Sequence, residues 1–567
     1  MCRLASFNSN NKNYPLERMR IFFVLFLLVV NICHGQKQAV RSSNVPGTWV
    51  PDNGDGTYSN PVLHADYSDP DAIRVGDDFY MVSSSFEDIP GLPILHSKDL
   101  VNWQLIAYAL QRQPPYEYYN TPHHGAGVWA PAIRYHNGEF YIYFPDPDFG
   151  IYLVKAKRAE GPWSEPVLVE AGKGLIDPCP LWDTDGKTYL VHAYAGSRAG
   201  IKSIIVIKQM NAVGTKVLDA GKLVYDGHID DPTIEGPKFY KRNNWYYIFA
   251  PAGGVSTGWQ LVLRSKEIYG PYERKIVMDQ GSTAINGPHQ GAWVNTQTGE
   301  DWFLHFQDKG AYGRIVHLQP MKWVNDWPVI GADKNGDGKG EPVLTHLKPN
   351  TGKNHPMVTP CEGDEFNDRE MGLQWQWMGN PKATWSFLNP PAGLLRLYSD
   401  RADTISNLWF KPNVLLQKFP AEAFAATTLL NFTPNTKLVG EKAGITIMGM
   451  SYAALYLESN KDGIQLVFGS CKNADAGELE TTTVINKLSA PKVYLQVTVT
   501  AGAKCRFSYS YDGAAFVNAG EEFTAVVGKW KGAKTGIFCV RDTAVSNDAG
   551  YADYDWFRMQ RPIVKSN

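Results

Sequence analysis

The chain alternates short apolar and aromatic runs with polar turns, and one such unit recurs five times. In each copy a three-residue polar turn precedes a strand of aromatic and β-branched residues. The five strands lie at residues 79–82, 140–143, 188–191, 245–248 and 302–305. Their spacing of roughly 50 to 60 residues is typical of a four-stranded propeller blade with its loops. The pattern predicts an all-β fold that begins with a five-bladed β-propeller over residues 56–345, and it leaves a β-sandwich as the alternative.

The repeat stops after Trp327, and a second pattern follows it. Residues 346–363 are predicted to form a Pro-bearing linker. Residues 364–562 again alternate strands and turns, but without the blade period, which favours a β-sandwich as the second domain.

The first 35 residues have the pattern of a secretion signal. Met19 and the basic residue Arg20 come first, an apolar run follows at 21–30, and small residues come after that run. The apolar run is shorter than the roughly 20 residues that a membrane-spanning helix needs. Export to the periplasm or the exterior is therefore expected, and the polar stretch before Met19 leaves Met1 and Met19 as alternative starts of translation. Cys33 as a lipoprotein cysteine is disfavoured because bulky Ile32 precedes it.

Composition narrows the class of partner. The formal net charge is −2, with 55 basic and 57 acidic residues intermixed, so no broad positive field is available for nucleic acid. The seven cysteines have no Cys/His spacing of the kind that zinc uses. Aromatic residues make up 13% of the chain, which suits both a β core and the stacking of sugar rings.

Three carboxylates occupy the same place in three of the repeats. Asp69, Asp177 and Glu235 each lie about ten residues ahead of an aromatic strand, among small, proline or apolar residues. Equivalent positions in a propeller converge on its axis, where mutual repulsion and loss of water raise at least one pKa. Glycoside hydrolysis requires such a protonated acid beside an ionised base. The alternative is that each carboxylate only caps a turn, and its phased repetition argues against that.

Together these motifs resemble glycoside hydrolase family 43, the β-xylosidases and α-L-arabinofuranosidases. The resemblance rests on segments 67–71, 74–80, 127–131, 176–178 and 234–237. It implies an inverting enzyme in which Asp69 is the general base, Glu235 the general acid, and Asp177 the residue that orients Glu235 and raises its pKa. It also implies that the second domain is a concanavalin-like sandwich that often closes one side of an exo-acting pocket.

Four more residues match pocket positions of that family. Phe86 and Trp129 resemble the aromatic wall around the terminal sugar, and Arg314 resembles the arginine that contacts sugar hydroxyls. His289 resembles the axial histidine that faces a water-coordinated calcium or sodium ion. No cofactor is required by the resemblance, and an axial ion is the one metal that it suggests. Without the resemblance, each of the four has an ordinary structural interpretation as core or as a surface pair.

The expected substrate is a plant cell-wall polysaccharide. The segment 287–293 resembles a branch of the family with arabinofuranosidase activity, so terminal α-L-arabinofuranose on xyloglucan or arabinoxylan is expected first, and β-D-xylose from xylo-oligosaccharides second. Asp71 departs from the common β-xylosidase motif, and a solvated surface charge is favoured over an extra sugar contact. A sugar-binding propeller without catalysis and a protein-interaction scaffold are the competing classes.

Overall fold

Five four-stranded antiparallel sheets follow one another along the first half of the chain in the computed structural model. The structure describes residues 47–401, 407–488, 490–542 and 548–562. The predicted signal segment, residues 1–35, lies outside them. The search of the described residues for a helix long and apolar enough to cross a membrane found none.

The strands of the first domain are numbered in chain order, four to a blade. Blade 1 contains β2 (Asp71–Val75), β3 (Asp78–Val82), β4 (Gly91–Ser97) and β5 (Trp103–Leu110). Blade 2 contains β6 (Ala132–His136), β7 (Glu139–Asp146), β8 (Gly150–Ala156) and β9 (Val167–Ala171). Blade 3 contains β10 (Leu175–Trp182), β11 (Thr188–Tyr194), β12 (Ile204–Met210) and β13 (Lys222–Asp226). Blade 4 contains β14 (Lys238–Arg242), β15 (Trp245–Ala252), β16 (Trp259–Ser265) and β17 (Glu273–Met278). Blade 5 contains β18 (His289–Asn295), β19 (Asp301–Asp308), β20 (Arg314–Val324) and β21 (Trp327–Ile330).

The first strands line the propeller axis: β2, β6, β10 and β14 contact one another in turn, and β18 contacts β15 of blade 4. Strand β18 of the last blade contacts β2 of the first, and an antiparallel bridge joins Leu63 to Val316, so the ring is closed. Strands β1 (Thr57–Ser59) and β22 (Thr345–Leu347) pair and join the two ends of the domain. The predicted five-bladed propeller is confirmed.

Polar turns form the hairpins between neighbouring strands of a blade. The pair Asn243 and Asn244 has φ values of 49° and 59°, and Asn325 and Asp326 have 52° and 58°. Two consecutive residues with positive φ form the turn whose twist matches that of antiparallel strands, and Asn and Asp tolerate this conformation better than other side chains. The polar turns and aromatic strands therefore alternate for a structural reason.

The second domain consists of two eight-stranded sheets that face each other. One contains β23 (Gln376–Trp377), β26 (Asp400–Arg401), β27 (Val414–Lys418), β29 (Glu441–Met448), β30 (Tyr452–Asn460), β31 (Gly463–Cys471), β32 (Thr481–Leu488) and β37 (Lys534–Arg541). The other contains β24 (Ser386–Asn389), β25 (Leu394–Tyr398), β28 (Phe424–Thr433), β33 (Lys492–Thr500), β34 (Lys504–Ser510), β35 (Val517–Asn518), β36 (Phe523–Thr524) and β38 (Tyr551–Gln560). Their inner faces share one apolar core, and the predicted sandwich is confirmed.

Helical structure among the described residues is short. It comprises the α-helix Gly196–Ala199 and the 3₁₀ turns Tyr118–Asn120, Gly310–Tyr312, Pro390–Ala392, Leu408–Phe410 and Ala474–Ala476. The two domains contact each other closely: Ile89 of the propeller forms an antiparallel bridge with Trp377 of the sandwich. The hydroxyl of Tyr312 likewise accepts a hydrogen bond from the N–H of Ala503 at 2.8 Å.

Candidate active site

The three predicted carboxylates lie at the start of three axial strands. Asp69 comes just before β2, Asp177 lies at an irregularity near the start of β10, and Glu235 comes just before β14. The two aspartates have φ values of 56° and 57° although a proline follows each of them. Such a backbone conformation costs free energy and persists where surrounding contacts impose it, which is common at functional sites. The phased motif thus brings three acids to one end of the axis.

Asp69 is held from two sides. The hydroxyl of Ser84 donates a hydrogen bond to Oδ2 of Asp69 at 2.5 Å. The guanidinium of Arg314 lies 3.1 Å from Oδ1 and forms an ion pair in which both side chains are largely buried. The position of the carboxylate is therefore fixed, and Arg314, predicted from the resemblance to contact sugar, also contacts the predicted base.

Asp177 and Glu235 hold protons more tightly than ordinary carboxyls. Burial raises the pKa of Asp177 to about 6, although the N–H of Gly236 donates a hydrogen bond to its Oδ2 at 2.8 Å. Burial, together with the negative charge of Asp177, raises the pKa of Glu235 to about 8, against the opposing effect of Arg314. About one third of the Glu235 side chain is still exposed, so substrate can reach a carboxyl that is protonated at neutral pH.

His289 lies beside Glu235 on the axis. Its Nε2 is 3.4 Å from Oε1 of Glu235, and the ring is almost fully buried. Burial, with a smaller contribution from Arg314, lowers the pKa of His289 to about 3, so the ring is neutral. Neither ring nitrogen has a hydrogen-bond partner among the described residues. Two buried nitrogens without partners fit a water-filled axial site, such as the hydration shell of an ion.

Direct coordination of a metal has no support in the described part of the chain. No group of three or more His, Cys, Asp or Glu side chains there is arranged to hold a metal ion. His289, with two ring nitrogens that lack partners among the described residues, is the side chain that fits the ion bound through water that the resemblance suggests.

Phe86 and Trp129 lie on adjacent segments. The backbone N–H of Phe86 donates to the carbonyl of Val128 at 2.9 Å, and the reverse hydrogen bond is 3.0 Å long. Gly127 permits this contact, because a Cβ there would lie 2.3 Å from the carbonyl oxygen of Phe86. The indole N–H of Trp129 donates to the carbonyl of Gly125 at 2.9 Å. Backbone hydrogen bonds thus join the two segments that carry the predicted wall residues.

The sandwich contributes Trp530, which the sequence analysis did not identify. Its ring centroid is 6.1 Å from that of Trp129, in an edge-on arrangement, and 45% of the residue is exposed. A cavity of about 260 Å³ beside it is lined by residues of both domains, including Arg314, Val255 and Met450. A tryptophan among Gly and Lys residues indicates a surface contact in the sequence, but the sequence does not show which part of the propeller Trp530 faces.

Two other residues near the carboxylates were missed or misjudged. Gln290 contacts Gly236 so closely that a Cβ on the glycine would lie 2.3 Å from its Cγ, and its side chain acts to lower the pKa of Asp177. Asp71 was expected to be a solvated surface charge, and this is wrong. Its side chain is fully buried, and its Oδ2 is 2.7 Å from a guanidinium nitrogen of Arg134 on the next blade. Asp71 and Arg134 form an ion pair between two blades, which the local sequence does not reveal.

The arrangement suits acid and base chemistry on a sugar. One carboxyl is protonated near neutrality, a second is held by an arginine and a serine, and Trp530 lines the same cavity as that arginine. A protonated acid and a separate base are the two groups that hydrolysis of a glycosidic bond needs.

Family models agree with both domains. Residues 58–328 match the model for glycosyl hydrolases family 43, and residues 363–560 match the model for the beta xylosidase C-terminal concanavalin A-like domain. Together the two matches cover the propeller and the sandwich.

Known proteins are similar over most of the chain. A Xylanibacter ruminicola protein, provisionally named a beta-xylosidase, is 40% identical over 86% of this chain and 86% of its own length. A Bacteroides ovatus protein, named a non-reducing end alpha-L-arabinofuranosidase, is 31% identical over 88% of this chain and 94% of its own. The solved structure of a xylan beta-1,4-xylosidase from Bacillus halodurans aligns with a TM-score of 0.78 at 25% identity, covering 89% of this chain and 100% of its own.

Proposed function

The chain belongs to glycoside hydrolase family 43, and we propose that it is an exo-acting, inverting enzyme that releases a terminal pentose from plant cell-wall polysaccharide. Membership of the family makes it a glycoside hydrolase, and the interpretations as a non-catalytic propeller or a scaffold have no support. The observation that carries the proposal is that Asp69, Asp177 and Glu235 lie at the starts of three axial strands, where burial and the charge of Asp177 raise the pKa of Glu235 to about 8.

In the proposed mechanism two carboxyl groups act on opposite sides of the sugar. Glu235 donates its proton to the glycosidic oxygen, so the leaving group departs as an alcohol. Asp69 accepts a proton from a water molecule whose oxygen attacks the anomeric carbon from the other face, which inverts its configuration. Asp177 stays close to Glu235, and its charge keeps the pKa of the acid high. Proton NMR of the first-formed sugar anomer tests the inversion, and a retained anomer would contradict it.

Terminal β-D-xylose is the first candidate substrate. The relative that is 40% identical and the solved structure at a TM-score of 0.78 both bear β-xylosidase names. Terminal α-L-arabinofuranose, which the sequence analysis expected first, is the second candidate, supported by the segment 287–293 and by the relative named an arabinofuranosidase. The two sugars differ little in size and polarity, and such differences are worth only about 1 to 3 kcal/mol in a pocket.

The experiment that tests the function compares kcat/KM on the 4-nitrophenyl glycosides of β-D-xylose and α-L-arabinofuranose. Xylobiose and arabinoxylan oligosaccharides are measured beside them, because a natural leaving group depends on the acid. We expect hydrolysis of at least one pentoside, and the larger kcat/KM identifies the sugar. A folded wild-type protein without activity on any of these substrates would contradict the proposal.

Two further parts of the proposal rest on fewer residues. We propose export on the basis of residues 19–35, and N-terminal sequencing of the native protein tests cleavage after Gly35.

We also propose an axial calcium or sodium ion held through water near His289, because its ring nitrogens have no partner among the described residues. Elemental analysis of the purified protein, and its melting temperature with and without added calcium in sodium-free buffer, test the ion.

A further inference from the structure

Four charged side chains form a buried group between the domains, next to the aromatic wall. Glu87 and Asp88 directly follow Phe86 in the propeller. From the sandwich, the ammonium of Lys531 lies 2.5 Å from Oε1 of Glu87 and 2.9 Å from Oδ1 of Asp88, and Lys534 pairs with Asp88. All four residues are buried, so these contacts are shielded from water and salt.

Glu87 links Lys531 to the sugar pocket. Its Oε2 accepts a hydrogen bond from the N–H of Gly125 at 3.1 Å. The carbonyl of Gly125 in turn accepts the indole N–H of Trp129 at 2.9 Å. A chain of contacts therefore runs from the sandwich lysine, through the carboxylate of Glu87 and the backbone N–H and carbonyl of Gly125, to the ring of Trp129, the predicted wall of the sugar pocket.

The same lysine fixes the sandwich side of the pocket. Lys531 follows Trp530, whose ring lies edge-on to Trp129. The segment approaches the propeller so closely that a Cβ on Gly125 would lie 2.9 Å from Cδ1 of Trp530 and 2.4 Å from Cγ of Lys529. The positions of both aromatic rings are thus tied to the contact between Lys531 and Glu87.

His124 adds a second connection. Its Nδ1 lies 2.7 Å from Oε1 of Glu87, and its Nε2 lies 2.7 Å from the backbone carbonyl of Trp409 in the sandwich. The ring stacks on the indole of Trp409 at 3.6 Å between centroids. Burial acts to raise the pKa of Glu87, but Lys531 and His124 outweigh it and lower the pKa below its usual range. Glu87 is therefore ionised, and its carboxylate contacts Lys531, His124 and the N–H of Gly125.

We propose that Lys531 is a positioning residue of the sugar pocket, which sets the separation of Trp129 and Trp530 through Glu87. This inference rests on the proposed function, since it concerns how the same pocket holds its pentose. Lys531 does not contact the reacting atoms. Its effect is on binding and orientation, and the acid and base are left as they are.

The test measures pentose binding and turnover in Lys531→Met, Lys531→Arg and Lys534→Met. Lys534 is the matched control: it is also a buried lysine paired with Asp88, but it has no contact with Glu87. We expect Lys531→Met to lower kcat/KM about tenfold, mainly through a higher KM, and Lys531→Arg to restore part of the loss. In Lys534→Met the loss should be less than about threefold when the protein is folded. These factors correspond to about 1.4 and 0.6 kcal/mol.

A second readout does not depend on catalysis. Binding of free xylose or arabinose, followed by calorimetry and by tryptophan fluorescence, should weaken in Lys531→Met by the same factor as KM rises. The alkaline limb of the pH profile should stay where it is, because Glu235 is not disturbed. If Lys531→Met does not fold, Glu87→Gln is measured in its place, since it removes the charge that the lysine and Gly125 share and keeps the size of the side chain.

Wild-type activity is established first, so failure of the proposed function is seen separately from failure of this inference. If Lys531→Met, or Glu87→Gln in its place, is folded and has wild-type KM and sugar affinity, the inference is wrong. Equal kinetic losses in the folded Lys531 and Lys534 variants would also overturn it, because they would show a general effect of domain docking.

Discussion

Two groups of buried carboxylates in this chain have pKa values displaced in opposite directions. On the propeller axis, burial and mutual repulsion raise the pKa of Asp177 to about 6 and that of Glu235 to about 8. Between the domains, Glu87 and Asp88 are even less exposed than Glu235, yet the pKa of each lies below its usual range because the attraction of Lys531 outweighs burial. Burial alone therefore does not decide the protonation state.

The difference lies in the number of cations that contact each group. Among the described residues, Arg314 is the one cationic side chain with an ion pair to the axial carboxylates, and it contacts Asp69. Each interdomain carboxylate contacts at least one lysine. Because the axial carboxylates contact fewer cations, Glu235 keeps the proton that catalysis requires. The interdomain carboxylates are paired with lysines, and these pairs join the two domains.

The largest expected effect comes from removing the base. Asp69→Asn should lower kcat/KM by about 10²- to 10⁴-fold on every pentoside, because no substrate escapes the need for an activated water molecule. Circular dichroism and the melting temperature establish that the variant is folded. A loss confined to substrates with poor leaving groups would assign the residue a different role.

Removing the acid should have an effect that depends on the leaving group. Glu235→Gln should lower kcat/KM by about 10²- to 10⁴-fold on xylobiose and by much less on 4-nitrophenyl xyloside, since nitrophenolate departs without a proton. Rates on the two substrates are measured in the same protein preparation. Equal losses on both would mean that Glu235 does not protonate the leaving group.

Stability should respond to the interdomain group. Burial lowers the pKa of Lys534 to about 7, so the comparison is made at pH 6, where its ammonium is charged and pairs with Asp88. Removing one partner of a buried pair, as in Lys534→Met, then typically costs about 3 to 5 kcal/mol. The midpoint of urea unfolding measures it. Asp88→Asn in the same protein should recover part of the loss, because the uncompensated charge is then gone. A midpoint unchanged by Lys534→Met would show that this pair is not needed for docking.

An exposed ion pair should matter least. Arg506 and Glu522 of the sandwich are 2.8 Å apart, with 51% and 38% of their side chains exposed. Arg506→Met should change the free energy of unfolding by less than about 1 kcal/mol, because water and salt screen such pairs. The same urea titration measures it. A loss as large as that of Lys534→Met would remove the distinction between buried and exposed pairs.

The sequence predicts those features that repeat along the chain. Paired turn residues such as Asn243 and Asn244 and the aromatic strands that follow them come from each blade's own hairpin, so five blades were predicted. The phase of Asp69, Asp177 and Glu235 within the repeat predicted their convergence. Both predictions use only local pattern and the symmetry of a propeller.

Features made by contacts between distant segments were not predicted. Asp71 was misjudged because its partner, Arg134, lies on the next blade. Trp530 and Lys531 reach the pocket only because the sandwich docks there, and nothing near them in sequence indicates the segment that they meet. Interdomain positions of this kind depend on tertiary packing, which periodicity does not encode.

The pH dependence of kcat/KM for the wild type and Asp177→Asn tests the central claim most directly. Glu235 acts while protonated, so wild-type activity should fall as the pH rises through about 8. Asp177→Asn removes a neighbouring negative charge, which makes ionisation of Glu235 easier and lowers its pKa. The account predicts that the alkaline limb moves to lower pH in this variant. An alkaline limb at the same pH in both proteins would contradict it.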